Sequence, residues 1–162
     1  MVLEIIGILL LVIVVAIIIN AVEEVSKRNS TKISFRESMD LTELPVVTFY
    51  NGDKKLNFLL DTGSNISHIN SSSLSLLEHE KIDMQAETMG FEGNKVSNEF
   101  CRMTVFYKNQ KFEDEFSITD LDEAFNVIKQ ENGVQIHGIL GSKFFEKYRY
   151  VLDFSELIAY TR

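Results

Sequence analysis

The sequence predicts a mainly β domain with one or two short helices, preceded by an apolar N-terminal helix. Three observations lead to this prediction. Short runs rich in Val, Phe, Leu and Tyr recur between Leu44 and Tyr160 and are separated by turn signals, as in closed or sandwiched β folds. Few segments of that region have a helical pattern. Residues 1–19 are apolar except for Glu4.

The N-terminal segment, residues 1–20, is interpreted as a transmembrane anchor in contact with lipid, because about 20 apolar residues span a bilayer core. A buried core helix is the alternative, but helices apolar on every side are rare in so small a domain. The segment lacks the basic start and cleavage site of a signal peptide. Lys27 and Arg28 follow it and no basic residue precedes it, so the positive-inside rule predicts a single-pass membrane protein with a cytoplasmic C-terminal domain.

Residues 21–43 are polar and are interpreted as a juxtamembrane linker, and residues 44–162 as one folded domain. The net charge of −8 argues against a nucleic-acid partner, because such binding needs clustered Lys and Arg. The single cysteine, Cys101, excludes an internal disulfide. The three histidines show no metal-ligand spacing, so neither a metal nor another cofactor is expected.

In the first half of the domain, "LPVVTFY" and "KKLNFLL" flank the pair Asn51-Gly52. An Asn-Gly between two apolar runs is a strong hairpin signal. A short strand is predicted at Ser67–Ile69, and "NSSSLSLLEHE" predicts a helix that begins at Asn70 or a neighbouring Ser.

In the second half, one predicted hairpin carries Gly90 and Gly93 at its tip and another turns near Asn109. "LDEAFNVIKQENG" predicts an amphipathic helix that ends at Gly133. A short buried strand is expected at "GILG", a helix at "SKFFEKYR", and a closing hairpin at "YVLDF" and "LIAY".

The chemistry centres on "FLLDTGSN", where an apolar run leads into Asp61. Thr62 can lock a loop by hydrogen bonding, Gly63 permits a tight turn, and Ser64 can hydrogen-bond the carboxylate. One carboxylate alone hydrolyses amides poorly, whereas two that share a proton can act as general base and general acid. The chain contains no second D-T-G or D-S-G. The partner is therefore expected to be Asp61 of another copy, placed across a two-fold axis.

"LLDTGSN" and the later "HGILGSKFFEKYRYVLDF" resemble the retropepsin-like aspartic protease family, the single-lobe, homodimeric relatives of pepsin found in retroviruses and bacteria. The resemblance covers roughly Leu44 to Tyr160. It implies a closed β-barrel-like acid protease lobe, a homodimer, and endopeptidase activity on a peptide or protein substrate.

The resemblance also implies roles for individual residues. Asp61, Thr62 and Gly63 match the catalytic triplet. The implied substrate-binding residues are Ser64, Met89, Gly90, Phe91, Ile139, Leu140 and Gly141. This chain departs from the family pattern in two ways: Ser64 stands where retroviral members usually carry Ala, and the predicted flap around Gly90 lacks a dense glycine cluster.

Other interpretations of these residues remain open. Asp61 could simply cap a turn, with backbone N–H groups satisfying its carboxylate. The same fold could serve as a non-catalytic peptide-binding or sensing module, because a fold does not dictate a function. A third possibility is an anchored assembly protein whose β domain only dimerises.

Overall fold

The computed structural model describes residues 2–89 and 95–162, and describes side chains at residues 6–7, 9–23, 31–83 and 99–162. The helices are α1 (Val2–Thr31), α2 (Arg36–Thr42), α3 (Asp122–Asn132) and α4 (Ser142–Lys147), and a 3₁₀ helix covers Ser71–Leu76. The strands are β1 (Ile33–Ser34), β2 (Val46–Asn51), β3 (Lys54–Leu60), β4 (Ser67–Asn70), β5 (Glu80–Met89), β6 (Lys95–Tyr107), β7 (Gln110–Thr119), β8 (Gly138–Leu140), β9 (Tyr150–Asp153) and β10 (Ile158–Thr161).

Six strands close into a barrel in the order β2, β3, β8, β4, β7 and β6. The pair Tyr50 and Phe106 joins β2 to β6 and completes the circuit, and β5 extends the sheet beyond β6. Strand β8 pairs in parallel with β3 and antiparallel with β4, while β4 pairs in parallel with β7. The predicted mainly β architecture, with a closed barrel and few helices, is confirmed.

The main core fills the barrel. In β3 the residues alternate strictly, so that Leu56, Phe58 and Leu60 are buried inside while their neighbours face the other side. Six fully buried phenylalanines dominate this core, namely Phe35, Phe49, Phe58, Phe112, Phe116 and Phe144. Most of their ring contacts have edge-to-face or tilted geometry, which aromatic quadrupoles favour. The short helix α4 therefore closes the barrel through Phe144.

A second, smaller cluster lies on the outer face of the sheet. Helix α3 buries Phe125 there against Val46 and Ile136. Leu59 and Ile139 pack partly against this cluster, as expected from their outward positions in β3 and β8. The strands that lead to the D-T-G turn are therefore packed on both faces.

The segment between residues 33 and 42 belongs structurally to the domain. Ile33 pairs with Ala159, so that β1, β10 and β9 form a three-stranded sheet. Ile33 and Phe35 are buried in the main core, and α2 follows directly. Residues 21–43 are predicted to be a linker, but their second half packs as part of the fold because these two apolar residues find partners far away in the chain.

The apolar side chains described in helix α1 are exposed. The large apolar residues of this helix whose side chains are described, from Ile6 to Val22, are 46–64% exposed. Among the residues described, no helix meets the combined length and hydropathy expected of a bilayer-crossing segment.

Hydrogen bonds from His137 fix the start of β8 between its two neighbours. The His137 backbone N–H donates to the Asn57 carbonyl at 2.9 Å, and its own carbonyl accepts from the Asn70 N–H at 2.8 Å. The ring atom Nδ1 accepts the Asn57 N–H at 3.1 Å, which requires an unprotonated Nδ1. Burial lowers the pKa of His137; hydrogen bonding with the Asn57 backbone opposes this shift, and the charge of Lys129 adds to it.

We expect His137 to make the fold sensitive to acid. Its folded-state pKa lies below the unfolded value of 6.5, so the unfolded state binds more protons at mildly acidic pH. The stabilisation is complete above pH 6.5 and is lost as the pH falls through the lowered pKa. In His137→Gln, whose amide oxygen can still accept the Asn57 N–H, urea unfolding between pH 7.5 and 5 should depend less on pH. His79→Gln changes an exposed histidine and is the control; equal slopes in both variants would contradict the prediction.

Candidate active site

The D-T-G turn begins where the parallel ladder of β3 and β8 ends. Leu60 pairs with Leu140, and the next N–H of the chain, that of Asp61, donates to the Leu140 carbonyl at 3.0 Å. Alternation along the strand turns Leu60 into the core and the half-buried Asp61 to the opposite, outer face. The apolar run therefore positions the carboxylate without burying it in the core.

The carboxylate of Asp61 is held by its own turn. The Gly63 N–H donates to Asp61 Oδ1 at 2.8 Å, and the Ser64 N–H donates to the Asp61 carbonyl at 3.3 Å. A Cβ added at Gly63 would lie 3.1 Å from Oδ1, so glycine leaves the oxygen its room. No residue with a described side chain donates a hydrogen bond to Oδ2.

The beginning of α4 is hydrogen-bonded to this turn. The Ser142 N–H donates to the Ser64 carbonyl at 2.8 Å, and the Lys143 N–H donates to the Asn65 carbonyl at 3.2 Å. The Ser142 hydroxyl donates to the Thr62 carbonyl at 2.8 Å. The first N–H groups of a helix have no partner within the helix, and here the turn supplies their acceptors. The turn is thus tied to a second, distant segment at three points.

Gly141 is required at this junction because of its size. Its φ of −95° is accessible to any residue, but an added Cβ would overlap the carbonyl group of Ile66. The absence of a side chain lets the chain after Asp61 pass directly over the end of β8.

The residues implied as substrate-binding lie in different environments. Ser64 is half-buried on the turn and its hydroxyl donates to the Ile66 carbonyl at 2.7 Å, so it does not bind the carboxylate as its position suggested. Ile139 is half-buried against the cluster beneath α3. The Leu140 side chain is fully buried in the main core, and its contribution to the site is its backbone carbonyl.

The predicted flap is described only in part. Met89 is the last residue of β5, which pairs with β6 up to Met89 and Lys95. Gly90 and Phe91 lie outside the described residues.

His68 is a neighbour of Asp61 that the sequence does not reveal. It pairs with Ile139 across β4 and β8, and Ile139 pairs with Leu59, so that the three form one row across the outer face. Its Nδ1 lies 3.0 Å from the Thr119 hydroxyl oxygen. Burial lowers the pKa of His68, while the nearby charge of Asp61 opposes this shift. Only the cross-strand register brings His68 near the acid.

The donor set does not form a metal centre in the part of the chain with described side chains. No three His, Cys, Asp or Glu residues there are close enough to hold an ion.

Comparison with solved structures finds proteins of similar architecture. The EIAV protease complexed with an inhibitor is 20% identical, with a TM-score of 0.48 over 67% of this chain and 90% of that chain. A retropepsin-like aspartic protease from Rickettsia conorii is 14% identical, with a TM-score of 0.43 over 80% and 87%. A foamy viral protease-reverse transcriptase in complex with an RNA/DNA hybrid is 15% identical, with a TM-score of 0.44 over 65% of this chain and 12% of that chain.

The chain is similar to retropepsin-like proteases of known structure. No protein-family model matches it, and no curated protein matches it.

We expect Gly141→Ala to destabilise the protein and loosen the turn. The new methyl group would overlap the Ile66 carbonyl, which is backbone and cannot rotate away, so the loss in unfolding free energy should be about 1–3 kcal/mol. Gly63→Ala is the matched control, because its methyl group would meet only a side-chain oxygen at 3.1 Å. Urea unfolding followed by circular dichroism measures the unfolding free energy of both variants. If Gly141→Ala loses less stability than Gly63→Ala, the close contact with the Ile66 carbonyl does not limit stability.

Proposed function

We propose that this protein is an aspartic endopeptidase whose active site forms when Asp61 residues of two copies meet across a two-fold axis. One observation carries the proposal: a half-buried carboxylate stands on a turn that is fixed at both ends, with Oδ1 bound to the Gly63 N–H. A capping role for Asp61 would account for that single bond. It does not account for the hydrogen bonds from the start of α4, which hold the turn rigid while Thr62 and Gly63 stay exposed.

The exposed part of the turn is where a second copy is expected. Thr62 and Gly63 project from the surface beside the carboxylate, so two identical turns can approach each other about a two-fold axis. In this arrangement the Asp61 pair shares one proton, because two close carboxylates resist simultaneous ionisation.

Peptide hydrolysis then follows from general acid–base chemistry. The ionised Asp61 removes a proton from water, whose oxygen bonds to the carbonyl carbon, while the protonated Asp61 gives its proton to the carbonyl oxygen. Breakdown of the tetrahedral intermediate breaks the C–N bond. The leaving nitrogen takes the proton held by the first carboxyl, while the second carboxylate takes back a proton from one hydroxyl of the intermediate as the C=O bond re-forms. The pair returns to its shared-proton state.

The substrate in this proposal is an extended peptide. An extended chain can add to the sheet through main-chain hydrogen bonds. We propose that it lies between the Asp61 pair and the flap that the sequence pattern predicts at Met89, Gly90 and Phe91. Ile139 and Ser64 would border its side-chain pockets.

Asp61→Asn should abolish cleavage of a peptide library while preserving the fold, because an amide can neither share nor remove the required proton. The measurement is mass spectrometry of digests between pH 4 and 7, where the wild type should show a bell-shaped profile from the coupled pair. Asp53→Asn, at the exposed hairpin turn, is the matched control and should cleave normally.

Mixing the variant with wild type tests the shared site. At constant total concentration, an equal mixture of exchanging subunits should retain about one quarter of the activity if two wild-type copies are needed, and about one half if each chain acts alone. Retention of one half would refute the shared dyad. A wild type that binds peptides without cleaving any would favour the peptide-binding module instead.

We further propose that α1 anchors the protein to a membrane, with the catalytic domain on the cytoplasmic side. The support is the apolar run of residues 1–19 and the exposure of those of its apolar side chains that are described, from Ile6 to Ile19. Confinement in one membrane raises the effective concentration of protomers, which would favour the dimer.

Replacing both Ile13 and Ile17 by Arg should release the full-length protein from membranes, because each Arg costs about 2.5–3.5 kcal/mol at the centre of a membrane helix. Carbonate extraction followed by sedimentation measures release. Leu76→Arg, at an exposed position outside α1, is the control. A wild type that remains soluble without detergent would contradict the anchor.

A further inference from the structure

A buried chain of hydrogen bonds reaches the D-T-G turn from behind. Asp114 on β7 has a side chain that is 13% exposed, and its Oδ2 accepts the Ser67 hydroxyl at 2.8 Å. Ser67 is the first residue of β4 and is 1% exposed. Because its only proton goes to Asp114, Ser67 Oγ is left as an acceptor, and it receives the Gly141 N–H at 3.3 Å.

The next step passes through a single peptide group. The Gly141 N–H and the Leu140 carbonyl belong to the same peptide unit, and that carbonyl accepts the Asp61 N–H at 3.0 Å. One rigid plane therefore connects the Ser67 hydroxyl to the backbone of Asp61. Its position is restricted further because Gly141 lies directly against the backbone of Ile66.

We propose that Asp114, acting through Ser67, is a positioning residue for Asp61, and this inference rests on the function proposed above. The charged acceptor polarises the Ser67 hydroxyl, which then accepts more strongly from the Leu140–Gly141 peptide. Hydrogen bonds in such chains strengthen one another in a medium of low dielectric constant. The Leu140 carbonyl thereby becomes a better acceptor for the Asp61 N–H and holds the turn in register.

The surroundings of Asp114 keep its charge partly shielded. A groove of about 430 Å³ beside it is lined by Arg102 of β6, Glu113 and Glu115 of β7, and Lys143 and Lys147 of α4. Lys147 Nζ lies 3.9 Å from Asp114 Oδ1. Burial raises the pKa of Asp114, while the Ser67 hydrogen bond and the Lys147 charge oppose the shift. The chain of hydrogen bonds should therefore weaken as the pH falls into the acidic range, where Asp114 gains its proton.

Amide hydrogen exchange tests the inference without relying on catalysis. In Asp114→Ala and Ser67→Ala, exchange at the Asp61 and Gly141 amides, measured by NMR on the full-length protein, should accelerate about three- to tenfold relative to wild type. Exchange at Val47, which lies in the core away from this chain of bonds, should change little. Asp114→Asn keeps an acceptor oxygen, so its exchange rates at these two amides should lie between those of the wild type and of Asp114→Ala.

Glu113→Gln is the matched control, because it removes the same charge from the adjacent, exposed position of β7. It should leave Asp61 exchange unchanged. The wild-type advantage over Asp114→Asn should also shrink at low pH, which a purely structural role of the side chain would not produce. In a cleavage assay, if Asp114 positions Asp61, Asp114→Ala should lower kcat about tenfold at nearly constant KM.

Two results would overturn the inference: exchange at Asp61 equal to that of Glu113→Gln, or acceleration spread evenly to Val47. If Asp114→Ala does not fold, Asp114→Asn and Ser67→Ala decide by the same criteria. If exchange accelerates locally but the protein cleaves nothing, the peptidase function is refuted while the positioning role of Asp114 stands. If the protein cleaves peptides but exchange does not accelerate locally, the positioning role is refuted while the peptidase function stands.

Discussion

The parallel pairing of β3 with β8 is the constraint on which the site depends. It joins segments 80 residues apart, Leu60 to Leu140, and its last bond is donated by Asp61 itself. A slip of one residue would exchange the two faces of β3. Leu59 would then enter the main core, and the carboxylate would turn inward with it. The register of a single short ladder therefore decides whether the acid faces the surface or the core.

That ladder can form because a glycine begins β8 and another, Gly141, follows its last residue. A Cβ at Gly138 would meet the Phe58 ring at 2.8 Å and overlap the His68 carbonyl, and a Cβ at Gly141 would overlap Ile66. Neither glycine has a positive φ. Glycine is needed at both positions because there is no room for a Cβ, and not because of an unusual backbone conformation. The pattern "GILG" is thus a strand narrow enough to pass between β3 and β4.

Local patterns in the sequence predict most of the barrel, because hairpins and alternating strands are encoded by neighbouring residues. Asn51-Gly52 and the turn after Tyr107 mark hairpins that the structure contains. The β1 strand and the proximity of Ser67 to Asp114 could not be predicted. Ile33 becomes buried only by pairing with Ala159, and Ser67 meets Asp114 across 47 positions. Such contacts follow from the register of distant strands, which no local pattern specifies.

The D-T-G turn lies between two packed regions, and this explains how a surface loop can be rigid. Leu60 and Leu140 anchor it to the main core from below, while Leu59 and Ile139 pack against the α3 cluster beside it. A functional group on such a platform keeps its geometry because the supporting side chains cannot move independently. Thr62 and Gly63 are the part of this rigid turn that stays exposed.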